Sequence, residues 1–184
     1  MDPIANSAPL WVFAYGSLLW DPGFDPVETR AASLSGYARS FCMLSIHHRG
    51  TQEQPGLVLA LDAQAGADCL GLALRVAQSD ATAVLAMLRE RELISSAYLE
   101  RWLPVRLQDG AQVTALAYVI DPGHGQYCRP DAETQAQMIA RATGGRGANR
   151  DYLYQTDAKL LQLGIADPAV TALTARVKAL CDTG

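Results

Sequence analysis

The residues best placed to do chemistry in this chain are Tyr15, Gly16, Ser17, Leu18 and Leu19, read together with one carboxylate, Glu92. Trp11-Val12-Phe13 is apolar and aromatic, the pattern of a short buried strand. Tyr15-Gly16-Ser17-Leu18 breaks that run. Glycine adopts backbone angles closed to other residues, so a turn here can aim several N–H groups at one point. Such a point suits a carboxylate, or a carbonyl oxygen that is gaining negative charge. An ordinary strand-to-loop turn has the same composition, so the segment becomes informative only with a chemical partner.

Glu92 is that candidate partner because of its helical phase. Ser79-Asp80 can cap a helix running from about Ala81 to Leu93. At about 100° per residue, Ala81, Val84, Leu85 and Leu88 form one narrow stripe, and Glu92 continues it. Glu90 points the opposite way, while Arg89 and Arg91 point sideways. The pattern therefore aims one carboxylate inward and leaves its charged neighbours to water. Burying an ionised carboxylate without partners is costly, and desolvation raises its pKa. A raised pKa suits a general base near neutral pH. A frayed last turn would instead leave Glu92 in solvent.

The elements that must position these groups read as strands first and helices later. Leu10 to Tyr15, Ser33 to Ile46, Gly56 to Leu61, Cys69 to Val76, Tyr98 to Leu107 and Val113 to Ile120 are apolar or alternating runs separated by turn residues. After Pro122 the spacing becomes helical. Asp131 can cap a helix ending at Gly144-Gly145, and a second runs from about Asn149 to Leu163 with Gly164 as its stop. Asp167-Pro168 opens a last helix toward Cys181. Strand runs followed by helix runs predict an α+β fold, with a strongly curved or barrel-like mixed sheet and helices packed outside. The 184 residues suit a single domain over 10–184, preceded by a short extension over 1–9.

Composition narrows the function classes. Hydrophobic residues make up 49% and charged ones 18%, with a net charge of −4 and no basic run, so a nucleic-acid partner is not expected. The start, Met1-Asp2-Pro3-Ile4-Ala5-Asn6, lacks the pattern of a signal peptide, and no stretch approaches the roughly 18 apolar residues of a membrane helix. A cytoplasmic protein without a membrane partner is the expectation. Cys42, Cys69, Cys128 and Cys181 are scattered without C-x-x-C spacing, which argues against zinc and, in a reducing compartment, against disulfides. His47 and His48 would point to opposite faces of a strand, a poor geometry for one metal, and His124 lies in a turn-rich segment. No metal or cofactor is expected. Gly144-Gly145-Arg146-Gly147 lacks the ending of a phosphate loop and reads as a helix stop and connector.

Five segments in this order give the chain a family resemblance. They are Val12-Phe13-Ala14-Tyr15-Gly16-Ser17-Leu18-Leu19-Trp20, Gly36-Tyr37-Ala38-Arg39-Ser40-Phe41-Cys42, and His48-Arg49-Gly50-Thr51 through Pro55-Gly56-Leu57-Val58. Then come Arg91-Glu92 leading to Tyr98 and Trp102-Leu103-Pro104-Val105, and Asn149-Arg150-Asp151-Tyr152-Leu153. Over about Trp11 to Leu163 the chain resembles the ChaC-type, glutathione-specific γ-glutamylcyclotransferases, within the wider γ-glutamylcyclotransferase-like fold. Asp151 stands where that family usually has glutamate, and Arg89-Glu90 where its bacterial members often have an aromatic and an arginine.

The resemblance implies that glutathione, or a related γ-glutamyl peptide, is the small-molecule substrate and is converted to 5-oxoproline with release of the amine. The substrate's own α-amine attacks its γ-carbonyl, so no water, metal or enzyme nucleophile is needed. It implies Glu92 as the general base, with Tyr15, Gly16, Ser17, Leu18 and Leu19 holding the substrate's oxygens. Tyr152 can close the pocket by hydrogen bonding or serve as a core aromatic, and Arg39 and Arg49 can meet substrate carboxylates or be structural. Another γ-glutamyl amine or dipeptide as substrate, and a catalytically silent binding module, remain the alternatives.

Overall fold

Five strands close into a barrel in the order β1-β3-β2-β4-β5. They are β1 (Trp11–Ala14), β2 (Glu28–Ser45), β3 (Gly56–Arg75), β4 (Tyr98–Leu107) and β5 (Gln112–Ile120). This computed structural model describes residues 8–182, so the expected N-terminal extension lies outside the described residues as far as residue 7. β1 is short and wholly apolar because it is flanked on both sides. It pairs antiparallel with β3, from Trp11 opposite Arg75 to Ala14 opposite Leu72. It also pairs parallel with β5, Trp11 opposite Ala115 and Val12 opposite Leu116, and all four of its residues are buried. β4 and β5 form an antiparallel hairpin from Tyr98 opposite Ile120 to Arg106 opposite Gln112. With helices added to this mixed sheet, the fold is α+β.

The strands expected over 56–61 and 69–76 are one strand. Ala63 to Asp68 carry small or polar residues and are largely exposed, so no alternation marks them as a strand. Gly66 takes a φ of +78° there and Gly36, within β2, a φ of +84°, angles glycine reaches without a Cβ clash. Long strands can bend at such points while keeping their pairing.

The chain falls into two compact units, and β2 and β3 contribute to each. Among the described residues the first comprises 8–39 and Leu61–Asp121; the second comprises Ser40–Ala60 and 122–182. The first unit holds β1, β4, β5, parts of β2 and β3, and α1 (Ala81–Glu92), whose Ala81, Val84, Leu85 and Leu88 are buried as their spacing requires. Its cap differs from expectation. Asp80 stands at the N-cap but its side chain caps nothing; the carboxylate accepts the Ser79 hydroxyl at 2.8 Å instead.

The second unit packs α2 (Ala132–Arg141), α3 (Asn149–Gln162) and α4 (Pro168–Asp182) on one another. Ile139, Leu153, Leu160 and Val177 fill its interior. The Asp131 carboxylate caps α2 by accepting the Thr134 N–H at 2.8 Å. α2 ends at Arg141, short of the expected Gly144-Gly145, because Thr143–Gly144 (β6) pairs with Gly147–Ala148 (β7) in a small hairpin. α3 stops where anticipated, with the N–H groups of Gly164 and Ile165 donating back to Leu161 and Leu160 at 3.0 and 2.9 Å. The Asp167 carboxylate accepts the Val170 N–H at 3.2 Å to open α4. Among the described residues no helix is long and apolar enough to cross a membrane.

Candidate active site

Where β1 ends, the chain turns through Tyr15-Gly16 into a single 3-10 turn, Ser17–Leu19. The Leu19 N–H donates to the Gly16 carbonyl at 3.0 Å, and the N–H groups of Trp20 and Asp21 donate to the Ser17 carbonyl at 3.1 and 2.8 Å. Among the described residues the N–H groups of Gly16, Ser17 and Leu18 make no hydrogen bond. The side chains of Leu18 and Leu19 are buried beneath them. The turn is braced from two sides. The Tyr15 hydroxyl donates to the Tyr118 carbonyl at 2.8 Å, and its ring stacks on Phe13 with centroids 6.4 Å apart. Arg39 donates from Nε to the Tyr15 carbonyl at 2.7 Å and from Nη2 to the Leu70 carbonyl.

Glu92 is the last residue of α1, its side chain 16% exposed, and it lies next to this turn by way of Arg91. Arg91 Nε is 3.1 Å from Glu92 Oε1. The same guanidinium donates from Nη2 to Ser17 Oγ at 2.9 Å and from Nη1 to the Asp21 carbonyl at 2.8 Å. One cation therefore holds the turn at two points and the carboxylate at a third. This corrects the expectation that Arg91 points out to water: its side chain is only 9% exposed. Adjacent helical residues do not normally face each other. Here the length of the arginine lets it fold back across the helix end. Glu90 does point to solvent, as its phase requires.

Behind Glu92 lies a second polar group that sequence spacing did not single out. Arg89, one helical turn before Glu92, grips Glu100 on β4 with two bonds, Nε to Oε2 at 2.8 Å and Nη2 to Oε1 at 2.7 Å. Tyr118 on β5, directly opposite Glu100 and 2% exposed, donates its hydroxyl to Glu100 Oε2 at 3.4 Å. Burial, and then the negative charges of Glu100 and Glu92, hold the Tyr118 phenol well above its ordinary value, so it stays a hydrogen-bond donor. The cross-strand register of the β4–β5 hairpin was the sequence signal for this pair.

Arg49 and Tyr152 belong to the second unit and are brought together there. The Arg49 guanidinium lies over the Tyr152 ring, 5.8 Å from its centroid, and donates from Nη1 to the Ala148 carbonyl at 3.2 Å. The Tyr152 hydroxyl accepts the Leu59 N–H at 3.2 Å, and its ring meets Phe41 edge-on. Asn149, fully buried at the start of α3, accepts from the Leu57 N–H at 2.7 Å and donates to the Leu57 carbonyl at 2.8 Å, in place of a neighbouring strand. The four cysteines are free thiols; Cys42 and Cys69 are buried and Cys128 and Cys181 partly exposed. Among the described residues no three His, Cys, Asp or Glu side chains gather as a metal cluster would require.

Comparison with known proteins places the chain in a family. Residues 10–180 match the family described as ChaC-like protein. The chain is 36% identical over 179 residues to the glutathione-specific gamma-glutamylcyclotransferase of Escherichia coli (strain K12), covering 95% of this chain and 75% of that protein. It is 33% identical over 176 residues to gamma-glutamylcyclotransferase 2-3 of Arabidopsis thaliana, covering 92% and 88%. A crystal structure of a yeast gamma-glutamyl cyclotransferase specific to glutathione superimposes with a TM-score of 0.83 over 94% of this chain and 97% of that one. At 22% identity that last match is a likeness of fold. With a family match over nearly its whole length and relatives sharing about a third of its residues, the chain belongs to the ChaC-like protein family.

Proposed function

We propose that this chain is a glutathione-specific γ-glutamylcyclotransferase, converting glutathione to 5-oxoproline and Cys-Gly. The α-amine nitrogen of the glutamyl group bonds to the γ-carbonyl carbon, and the γ-amide C–N bond to cysteine breaks. Water does not enter the balance. The observation that carries the reading is the Arg91 guanidinium, which joins Ser17 of the turn to Glu92 and so sets an acceptor of protons beside a set of N–H donors. The acidic chain, without a basic run, fits a small-molecule partner, and we place the reaction in the cytoplasm.

Three tasks fall to the protein in this reading. The first is to fold the glutamyl chain so that its amine meets its carbonyl, which can contribute several kcal/mol and at most about 7–11. The second is to take a proton from the α-ammonium, which has no lone pair until it loses one, and to return it to the departing nitrogen. Glu92 does this, with Arg91 as its counter-charge. The third is to steady the negative oxygen of the tetrahedral intermediate. The Gly16, Ser17 and Leu18 N–H groups suit that task, each donor worth about 3–4 kcal/mol. Tyr15 and Leu19 frame the turn, and we assign Arg39 to bracing it through the Tyr15 carbonyl. Arg49 and Tyr152 are assigned to holding the second unit together around Leu59 and Ala148.

Purified protein incubated with glutathione, followed for 5-oxoproline and Cys-Gly by mass spectrometry, tests the reading. Wild type and Glu90→Gln are expected to form both products, and Glu92→Gln to be slower by about 10²–10⁴-fold, the usual worth of a general base. Equal turnover by Glu92→Gln would remove Glu92 as the base. Product from other γ-glutamyl compounds but not from glutathione would change the substrate. No product from any of them would leave a binding module.

A further inference from the structure

Glu92 is the last residue of α1, and helix ends are where backbone bonds open first. The Leu93 N–H closes the last turn by donating to the Arg89 carbonyl at 3.0 Å. No left-handed residue follows at once to lock that end, as Gly164 locks α3; Leu93 has a φ of −96° and the first positive φ comes at Ser96. If this turn unwinds, Glu92 is carried away from the N–H groups of Gly16, Ser17 and Leu18. Side chains that reach from it to the barrel therefore bear on the chemistry.

Two arginines do so. Arg91 reaches Ser17 and Asp21, and Arg89 reaches Glu100 on β4, Nε to Oε2 at 2.8 Å and Nη2 to Oε1 at 2.7 Å. A guanidinium and a carboxylate joined by two bonds are fixed in orientation as well as in distance. The Glu100 end is itself held. Its side chain is 18% exposed, it stands directly opposite Tyr118 in the β4–β5 hairpin, and the Tyr118 hydroxyl donates to Oε2 at 3.4 Å. Tyr118 also braces the other half of the site, because its backbone carbonyl accepts the Tyr15 hydroxyl at 2.8 Å. One cross-strand pair thus touches both pieces: the helix end that carries Glu92, through Glu100, and the turn that carries the N–H groups, through Tyr118.

We propose that Glu100 is a positioning residue for the cyclisation: by gripping Arg89 from β4 it keeps the last turn of α1 wound and Glu92 aimed at the substrate's amine. Glu100 touches no reacting atom and carries no proton. Both of its oxygens are occupied by Arg89, so its part is mechanical. The Arg89 side chain is 42% exposed, which keeps the pair's contribution to global stability small. What the pair controls is a local opening of the helix end. The inference rests on the cyclotransferase reading above.

The test is a double-mutant cycle with Glu100→Gln, Arg89→Gln and the two together, read by kcat and KM for glutathione and by native-state hydrogen exchange. Each single variant should lose about tenfold in kcat with KM within about twofold of wild type, as a misplaced catalytic group does. The double variant should be no slower than the slower single one, because both changes break the same link. The Leu93 amide should exchange about tenfold faster in all three, while the amides of β1 keep their wild-type protection. Arg89→Gln changes the more exposed partner, so it carries the test if Glu100→Gln folds poorly. Wild-type kcat in the single variants overturns the proposal, as do losses that add in the double variant. Exchange that quickens equally in β1 marks a general loss of stability and overturns it too. Failure of wild type to act on glutathione is a different result: it removes the cyclotransferase reading, while Leu93 exchange, which needs no substrate, still decides whether Glu100 holds the helix end.

Discussion

A guanidinium that reaches Ser17, Asp21 and Glu92 together makes the turn and the carboxylate mechanically one piece. Lysine at this position keeps the charge but has a single point of attachment in place of a planar fork, so it can satisfy one of these partners well and not all three. Arg91→Lys should therefore fold nearly as wild type and lose about tenfold or more in kcat, with a smaller change in KM, because orientation and not charge has been removed. Arg91→Gln also strips the counter-charge from a carboxylate that is mostly out of water, and should lower stability by a few kcal/mol besides. Steady-state kinetics with thermal melts on the two variants separate these effects; a lysine variant with wild-type kcat would show that the clamp does not set the geometry. At this scale the sequence was half legible. The phase of Ala81, Val84, Leu85 and Leu88 was enough to turn Glu92 inward. Arg91 was not legible, because helical phase reports where a Cβ points and a long side chain can leave that direction.

Helices α2 and α4 are joined on the surface by Glu133 and Arg176, whose two bonds measure 2.7 and 2.8 Å. Hydrogen bonding from Arg176, and then from Gln137, holds the Glu133 carboxyl down at about 2, against a starting value of 4.5. A depressed carboxyl stabilises the fold at pH above its unfolded value, and that stabilisation is lost as pH falls through the folded value. The urea midpoint of wild type should thus exceed that of Glu133→Gln by a constant small amount from neutral pH down to about 4.5. The gap should narrow from there toward pH 2, and shrink at 1 M salt because the pair is exposed to solvent. A gap independent of both pH and salt would mean that the glutamine perturbs α2 in some other way. Caps and stops of these helices could be read directly: Asp131 before α2, Asp167-Pro168 before α4, and Gly164 after α3 each act through a local backbone bond. β3 could not be read as one strand, since the exposed Ala63 to Asp68 segment lacks the alternation that marks a strand.

The barrel as a whole depends on its shortest member. β1 has four residues, yet it pairs with β3 on one side and β5 on the other, so the ring closes through it and its end leads into the Tyr15–Leu19 turn. The curved sheet was foreseeable from strand runs followed by helix runs, but the choice of β1 as the closing strand was not. Parallel pairing of β1 with β5 joins residues far apart in the chain, and nothing local encodes it. Gly71, on β3, tests whether that closure positions the turn. A Cβ there would run into the Ala14 carbonyl oxygen and sit 3.1 Å from the Phe13 ring, at the seam just before Tyr15. Gly71→Ala should cost about 1–3 kcal/mol, as overpacked sites do. For a chain of this size, each kcal/mol is worth about 2–4 °C in melting temperature. It should also lower kcat/KM, because the push falls on the strand end that carries the N–H donors. Gly125→Ala is the control: nothing lies within 4 Å of its Cβ position, so it should stay within about 0.5 kcal/mol of wild type. If the two alanine variants melted together and turned over glutathione equally, the β1–β3 seam would have room for a methyl group, and the turn would owe its position to Arg39, Arg91 and the Tyr15–Tyr118 bond.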